Sequence, residues 1–408
     1  MKTTQNLRNP LRDLTQENIS AGLLAAIFGC VATSLIIINS GAQAGLTDGQ
    51  IVSWLFSCWF FGGCIGVYLA WKTGQPISGA WSIPAAVMLG GTLGHFPFEE
   101  AVGAYFMAGA MVFVLGVTGL VNRIIRLIPM PIIMAMIAGA LMRFATGIMG
   151  GLSDLPLIAG ATVATYFCSL ALLPRVTPII PALAVGLSLF FVFGEAAPVA
   201  TAAQFQLPGF YMPAFSFEAF IAISLPVAVL VVGAENAQAT GVLMSEGYKP
   251  PVNTMTTLSG IGGMVACFFG AHNANIAGPM TAICSSEVAG SEKEKRYVAS
   301  IICGLICLTF GILSSYAISF IKLVPLALIA TVAGLAMINV LLQSLQLAFT
   351  TEKKASFQLG AFTAFVVALS GVSFLNITAP FWALVAGLVI TLITEKQQFK
   401  QLLVPQTP

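Results

Sequence analysis

Gln75-Pro-Ile-Ser-Gly-Ala-Trp-Ser-Ile-Pro84 and Gly270-Ala-His-Asn-Ala-Asn-Ile-Ala-Gly-Pro279 decide how this chain folds. Each carries small and polar residues up to a proline. Each is followed by a helix-compatible apolar run, Ala85-Ala-Val-Met-Leu89 in one case and Met280-Thr-Ala-Ile-Cys284 in the other. Proline is tolerated in the first turn of a helix, where its missing N–H has no partner to lose. Each stretch therefore reads as an extended piece feeding a half-helix. The blander reading, that Pro84 and Pro279 only kink two packed helices, is weakened by their matched placement. Gln43 and Gln238, Pro84 and Pro279, and Ala138-Gly139 and Ala333-Gly334 all lie 195 positions apart, and Arg126-Leu-Ile-Pro129 and Lys322-Leu-Val-Pro325 lie 196 apart.

The surrounding composition says what medium these breaks sit in. Of 408 residues only 8% are charged and 58% are hydrophobic, against about 25% charged in a soluble protein, and the mean hydropathy is +0.94. Such a chain lacks the polar surface to cover a water-soluble core, so the fold class is an all-α integral membrane protein. Apolar runs at 19–45, 51–70, 77–91, 99–121, 131–150, 155–172, 179–193, 217–245, 254–269, 275–289, 297–320, 325–348, 357–374 and 378–394 predict fourteen transmembrane segments, at about 20 residues per span. With both termini cytoplasmic, 15 of the 17 Lys and Arg fall on the inside, Lys322 and Arg143 being the exceptions. Residues 1–18 and 395–408 then form cytoplasmic tails. Met1 to Asn18 is polar and lacks the apolar core of a cleavable signal.

Several functions are excluded at this level. A net charge of +2 leaves no nucleic-acid footprint, and two histidines cannot build a histidine-rich metal cluster. The eight cysteines lie in or beside apolar runs and read as small buried thiols. No nucleophile elbow, Walker loop or metal motif is present, so no enzyme, metal or organic cofactor is expected.

A repeat of seven segments is odd-numbered, so its second copy enters the membrane the other way up. Inverted repeats belong to transporters, with the site where the halves meet near mid-membrane. Two half-helix N-termini would then face one another, each with unpaired N–H groups and about half a positive charge. Together they suit a carboxylate without any lysine or arginine. Extended backbone at that depth must be buried in protein or line a cavity. Glu235, with Asn236 and Gln238, follows sixteen residues whose only polar member is Ser224. An intramembrane carboxylate is by default a functional hypothesis, proton carrier being a common role, and Glu235 and Gln238 share a helical face. Otherwise Glu235 is structural, hydrogen-bonded between helices. Asn39 and Gln43 form the matching polar face of the first segment and serve either as ligand contacts or as packing glue. Asn273 and Asn275 either cap the tenth half-helix or touch the ligand. His272 titrates or sits at the outer mouth, and Arg143 faces substrate, pairs at a gate or snorkels outward.

The stretches Thr73-Gly-Gln-Pro-Ile-Ser-Gly-Ala-Trp-Ser-Ile-Pro84, Glu235-Asn-Ala-Gln238 and Ala277-Gly-Pro-Met-Thr-Ala-Ile-Cys284, with Glu287 and the charged Ser291–Arg296 loop, resemble the benzoate/proton symporter (BenE) family. The resemblance runs over essentially the whole chain. It implies the fold of uracil-permease-type transporters, two inverted sevens with a short strand and half-helix in segments 3 and 10. It implies a core domain (19–121 and 217–320) and a gate domain (131–193 and 325–394) that often dimerises. It further implies import of an aromatic carboxylate, benzoate by default, with a proton as the coupling ion, in a bacterial cytoplasmic membrane. The acid of segment 8 in uracil-type permeases matches Glu235, whereas their second acid, in segment 10, appears here as Ala274 or Asn275. That departure argues against a nucleobase, since fewer acids suit an anionic ligand. The expected substrate-binding set is Gln43, Trp81, Ser82, Ile83, Pro84, Glu235, Asn236, Gln238, Asn273, Asn275, Ile276, Gly278 and Pro279, with Met280 as a further apolar neighbour and Arg143 as a gate. Rival readings are a same-fold carrier of a nucleobase or inorganic anion, a channel and, remotely, a membrane enzyme.

Overall fold

The computed structural model describes residues 9–121, 129–172, 178–193, 205–316, 324–349, 357–372, 374 and 379–403. Lys2, Arg8, Arg123, Arg126, Arg175, Lys322, Lys353 and Lys354, which carry much of the orientation argument, lie outside the described residues. So do most residues of the 126–129 and 322–325 match.

Helices dominate. In chain order they are α1 (Gln16–Gln43), α2 (Asp48–Thr73), α3 (Ile83–Thr92), α4 (Phe98–Thr118), α5 (Met130–Asp154), α6 (Pro156–Leu172), α7 (Ile179–Phe193), α8 (Phe217–Met244), α9 (Val252–Ala266), α10 (Gly278–Ser285), α11 (Tyr297–Ile312), α12 (Leu326–Phe349), α13 (Gln358–Ser370) and α14 (Ala379–Thr394). Among the described residues eight helices, the longest being α1 and α8, are long and apolar enough to cross a membrane, and four more apolar helices are shorter. The stretch expected to be a tail opens with a further short helix, Lys396–Leu403.

The chain leaves helical geometry just before Pro84 and just before Pro279. Gly79–Ala80 (β1) and Asn275–Ile276 (β2) form a two-residue antiparallel ladder, with Gly79 opposite Ile276 and Ala80 opposite Asn275. Ala277 N–H extends it by donating to Ser78 O at 2.9 Å. The ladder uses backbone groups that would otherwise be stranded in a dry interior. It also aligns the two half-helices, α3 and α10, end to end.

Glycine makes room for this ladder. Gly62 and Gly66 of α2 lie against β1, and a Cβ on Gly66 would stand 2.6 Å from Gly79 N. Gly262 of α9 likewise lies against the backbone of Ala274, beside β2. No side chain fits between either helix and its strand.

The long helices are not regular. α1 has a π turn at Phe28–Thr33, where the Thr33 hydroxyl donates to Gly29 O at 2.7 Å, and α8 has π turns at Phe220–Ser224 and Val231–Asn236. The first π turn of α8 precedes Pro226, which has no N–H to return to the turn before it. The second contains Glu235.

The helices sort into two packed groups. One joins α4 to α9, α2 to α11 and α1 to α11, and encloses the ladder and half-helices. The other joins α5 to α12 and α13, α13 to α14, and α6 to α7. The groups meet where α5 touches α3 and the π turn of α8, and where α12 touches α1.

Candidate functional site

A helix starts with donors that have no partner inside it. At α3 the first residue, Ile83, has such an N–H, the second is Pro84, which has none, and the third, Ala85, donates to the hydroxyl of Ser82 at 3.4 Å. At α10 the first residue is Gly278 and the second is Pro279, and the capping position, Ala277, has no side chain that can accept. The one uncapped first donor at each end turns to the same group. Ile83 N–H donates to Glu235 Oε1 at 3.2 Å, and Gly278 N–H donates to Glu235 Oε2 at 3.5 Å. A single buried carboxylate therefore bridges two half-helices that run away from it in opposite directions.

Two features of this bridge matter chemically. The chain has built an anion site out of backbone alone, with two helix dipoles directing positive potential at it. The grip is also loose, because charge-assisted hydrogen bonds are usually about 2.7–2.9 Å long.

Each half-helix meets a cation, α10 at its far end and α3 at mid-length. Arg296, 2% exposed, donates to Ser285 O at the end of α10 at 2.6 Å, to Gly290 O at 2.7 Å and to Glu246 at 3.2 Å. Arg143 of α5 donates to Val87 O of α3. α10 thus runs from the shared anion to a cation at its end, whereas the arginine on α3 sits against the middle of the helix.

Glu235 is not sealed in. A cavity of about 360 Å³ reaches it, lined by Ile83, Pro84, Glu235, Gln238 and Pro279 on one side and by Met130, Met134, Ile137, Gln343, Ser344 and Leu347 on the other. It lies in the seam between the two helix groups. Gln238 Nε2 donates to Gln343 Oε1 across the seam at 2.8 Å. The Gln238 side chain also lies over the missing Cβ of Gly278, at the mouth of α10.

Of the expected binding residues the cavity thus gathers Ile83, Pro84, Glu235, Gln238 and Pro279, with Gly278 supplying a backbone donor. The others lie elsewhere. Gln43 sits beside Gly90, in the C-terminal half of α3, its Oε1 being 2.9 Å from where a Gly90 Cβ would stand. Asn236 turns away to Ser259 and Thr256 of α9. Trp81, Asn275 and Ile276 are buried at the ladder and do not line the cavity. Asn273 accepts from Ser82 N–H at 3.0 Å, so it fixes the cap of α3. The lining residues from α5 and α12 carry no sequence signal, since Met, Ile and Leu there look like any buried apolar residue.

His272 has a definite role. The Trp54 indole N–H donates to His272 Nδ1 at 2.8 Å, so Nδ1 is an acceptor and the ring proton is on Nε2, which donates to Ser82 O at 3.0 Å. A neutral ring bonded at both nitrogens, fully buried and edge-on to Trp54, Trp81 and Tyr105, holds α3's cap in place. His272→Gln, whose amide can accept and donate in the same places, should keep transport with an unchanged pH profile. His272→Ala should lower stability by about 1–3 kcal/mol for each partner it strands. A shifted pH profile of transport in His272→Gln would show that the ring titrates in the cycle after all.

Against known proteins the chain is similar to two curated bacterial proteins over nearly its full length. It is 28% identical to the inner membrane protein YdcO of Escherichia coli (strain K12) over 383 residues, 93% of this chain and 97% of that one. It is 25% identical to the benzoate membrane transport protein of Acinetobacter baylyi over 393 residues, 96% of this chain and 99% of that one. The fold is similar to the transmembrane domain of a cyanobacterial bicarbonate transporter, BicA, with a TM-score of 0.62 at 15% identity, covering 92% of this chain and 98% of that one. It is also similar to the murine Slc26a9 anion transporter in its inward-facing state, with a TM-score of 0.60 at 13% identity, covering 95% of this chain and 69% of that one. Residues 12–393 match the family of benzoate membrane transport proteins as a whole, and the chain belongs to that family, BenE.

Proposed function

We propose that this protein carries benzoate, or a close monocyclic aromatic carboxylate, inward across a bacterial cytoplasmic membrane together with a proton. The observation that carries the reading is the Glu235 bridge. The chain keeps an anion of its own on two opposed helix N-termini, beside a cavity large enough for a small ligand. A substrate carboxylate can use those donors only when Glu235 gives them up. Two anions cannot share the spot, so Glu235 leaves most easily by taking a proton. Substrate and proton then bind together, and the occupied site has the same charge as the empty one. That is the logic of a symporter.

The lining supports an aromatic ring in preference to a small inorganic anion. Met130, Met134, Ile137 and Leu347 offer apolar and thioether surface, which favours ring faces and edges. Gln238 stands at the uncapped end of α10, where the carboxylate would dock. In this reading the chain has fourteen segments in two inverted sevens, and the group holding α3 and α10 is a core that moves against a gate built on α5 and α12. With the termini in the cytoplasm, the cavity opens inward, because it runs from Glu235 toward the end of α8 and the start of α5.

Uptake of labelled benzoate into proteoliposomes with an imposed pH gradient tests this directly. Accumulation above the outside concentration when the outside is acidic, abolished by a protonophore and competed by other aromatic carboxylates but not by uracil or bicarbonate, is the expected result. Flux that runs only downhill would identify a channel. Competition by a nucleobase or an inorganic anion would reassign the substrate.

A further inference from the structure

The cavity reaches Glu235 from the side of the start of α5 and the end of α8. On the opposite side α5 continues from Ile137 to Arg143, about 9 Å further along the helix at 1.5 Å per residue. Arg143 donates to Val87 O of α3 and approaches Gly91, its Nη1 lying 3.6 Å from where a Cβ there would be. One residue earlier on α3, Gly90 leaves room for Gln43 and Ser40 of α1.

Arg143 is not accounted for as a structural cap. Arg296, its counterpart at α10, is buried and spends its donors on two carbonyls and a carboxylate. Arg143 is exposed, and the carbonyl it meets is not one of the last four of α3, the ones a helix leaves unpaired. The ion pairs among the described residues are Lys295–Glu292 and Arg296–Glu246, so none there neutralises Arg143. A guanidinium has five N–H donors in a fork that matches a carboxylate. On α1, against Gly90 and so one residue along α3 from the Arg143 approach, Ser40 is 1% exposed and its hydroxyl has no hydrogen-bond partner.

We propose that Arg143, flanked by Gln43 and Ser40, is an outer carboxylate-collecting site. It takes the substrate anion on the side opposite the cavity before that anion reaches the N-terminus of α3. A carboxylate there takes guanidinium N–H groups that the Val87 carbonyl leaves open. The proposal rests on the carboxylate-carrier reading above and assigns that carrier a second station, specific to one face.

Sidedness makes it testable. Benzoate transport is measured in membrane vesicles of both orientations, for the wild type, Arg143→Gln and Arg143→Lys. Loss of one charge-assisted pair should raise the KM of Arg143→Gln about tenfold when benzoate is presented to the outer face, and leave the KM from the inner face unchanged. Arg143→Lys should recover part of the loss. In the wild type, the outer-face KM should rise with ionic strength more steeply than the inner-face KM, a measurement that needs no variant to fold. A KM raised equally from both faces, a fall in kcat alone, or wild-type KM values with the same salt dependence on both faces would each overturn the proposal. A wild type that does not move benzoate would instead refute the carrier reading itself.

Discussion

Glu235→Gln should abolish proton-driven accumulation of benzoate while leaving benzoate-for-benzoate exchange intact. Glutamine is neutral and nearly isosteric, but it cannot replace the bridge. Its amide oxygen can accept from Ile83 or Gly278, and its NH2 group would then face the other helix's N–H, donor against donor. The two N-termini become available to a substrate carboxylate without any proton being taken up first. Binding therefore survives and coupling does not. With one proton per substrate, each pH unit supports about tenfold accumulation in the wild type. The variant should only equalise benzoate on the two sides. The sign with pH follows: wild-type uptake rises as the outside is acidified, because the proton enters from that side, and the variant's exchange is flat. Uphill uptake with ordinary pH dependence in Glu235→Gln would remove Glu235 from the mechanism. Loss of exchange as well as accumulation would make it a ligand or structural residue only.

Gly79→Ala should be nearly as damaging, through position and not charge. A Cβ on Gly79 would be driven into Gly62 O and would stand 2.8 Å from Gly66 N, both backbone atoms of α2 that cannot rotate away. The strand must shift, and through the Gly79–Ile276 and Ala80–Asn275 pairs it carries β2 with it. Overpacking of this kind costs about 1–3 kcal/mol. Its functional effect is larger, since misplacing a site by about 1 Å can cost on the order of a hundredfold in rate. The expected result is a lower unfolding temperature in detergent and a loss of transport out of proportion to it. Gly150→Ala in α5 is the control. Its Cβ meets nothing within 4 Å, so it should be neutral or slightly stabilising. If Gly79→Ala transports normally, the ladder does not set the geometry of the site.

The elements of this site differ in how much they show in sequence. The medium is written in the composition, and the two breaks are written in Pro84 and Pro279, because proline and a polar run inside an apolar segment have few other meanings. Glu235 stands out for the same reason, a lone carboxylate in an apolar stretch. What it bonds to is not visible in sequence, because both partners are backbone N–H groups that any residue but proline has. The α5 and α12 walls are equally silent: Met134 and Leu347 are indistinguishable from residues that face a neighbouring helix or lipid.

Gln43 teaches a sharper lesson. The spacing of 195 pairs it with Gln238 and pairs Ile83 with Gly278, so it predicts Gln43 at the mouth of α3, and the structure puts it elsewhere. Gln238 reaches the mouth of α10, whereas Gln43 reaches the far half of α3. The first residues of the two half-helices, Ile83 and Gly278, keep their match, since both donate to Glu235. Arg296 was legible only as a basic residue in a charged loop, and its place at the end of α10 follows from folding Tyr297–Ile312 back against α1 and α2. The π turn that contains Glu235 has no marker of its own in the sequence.

The account turns on an exchange, one carboxylate for another at two facing helix ends, with a proton leaving solution as the price of the swap. Counting that proton is the most direct test. Benzoate binding to the purified protein is measured calorimetrically in mildly alkaline buffers of different ionisation enthalpy, which gives the protons taken up per ligand bound. One proton per benzoate for the wild type and none for Glu235→Gln is the expected result. Tight binding to the wild type with no proton uptake would mean that Glu235 and the substrate do not compete, and would contradict the account at its centre.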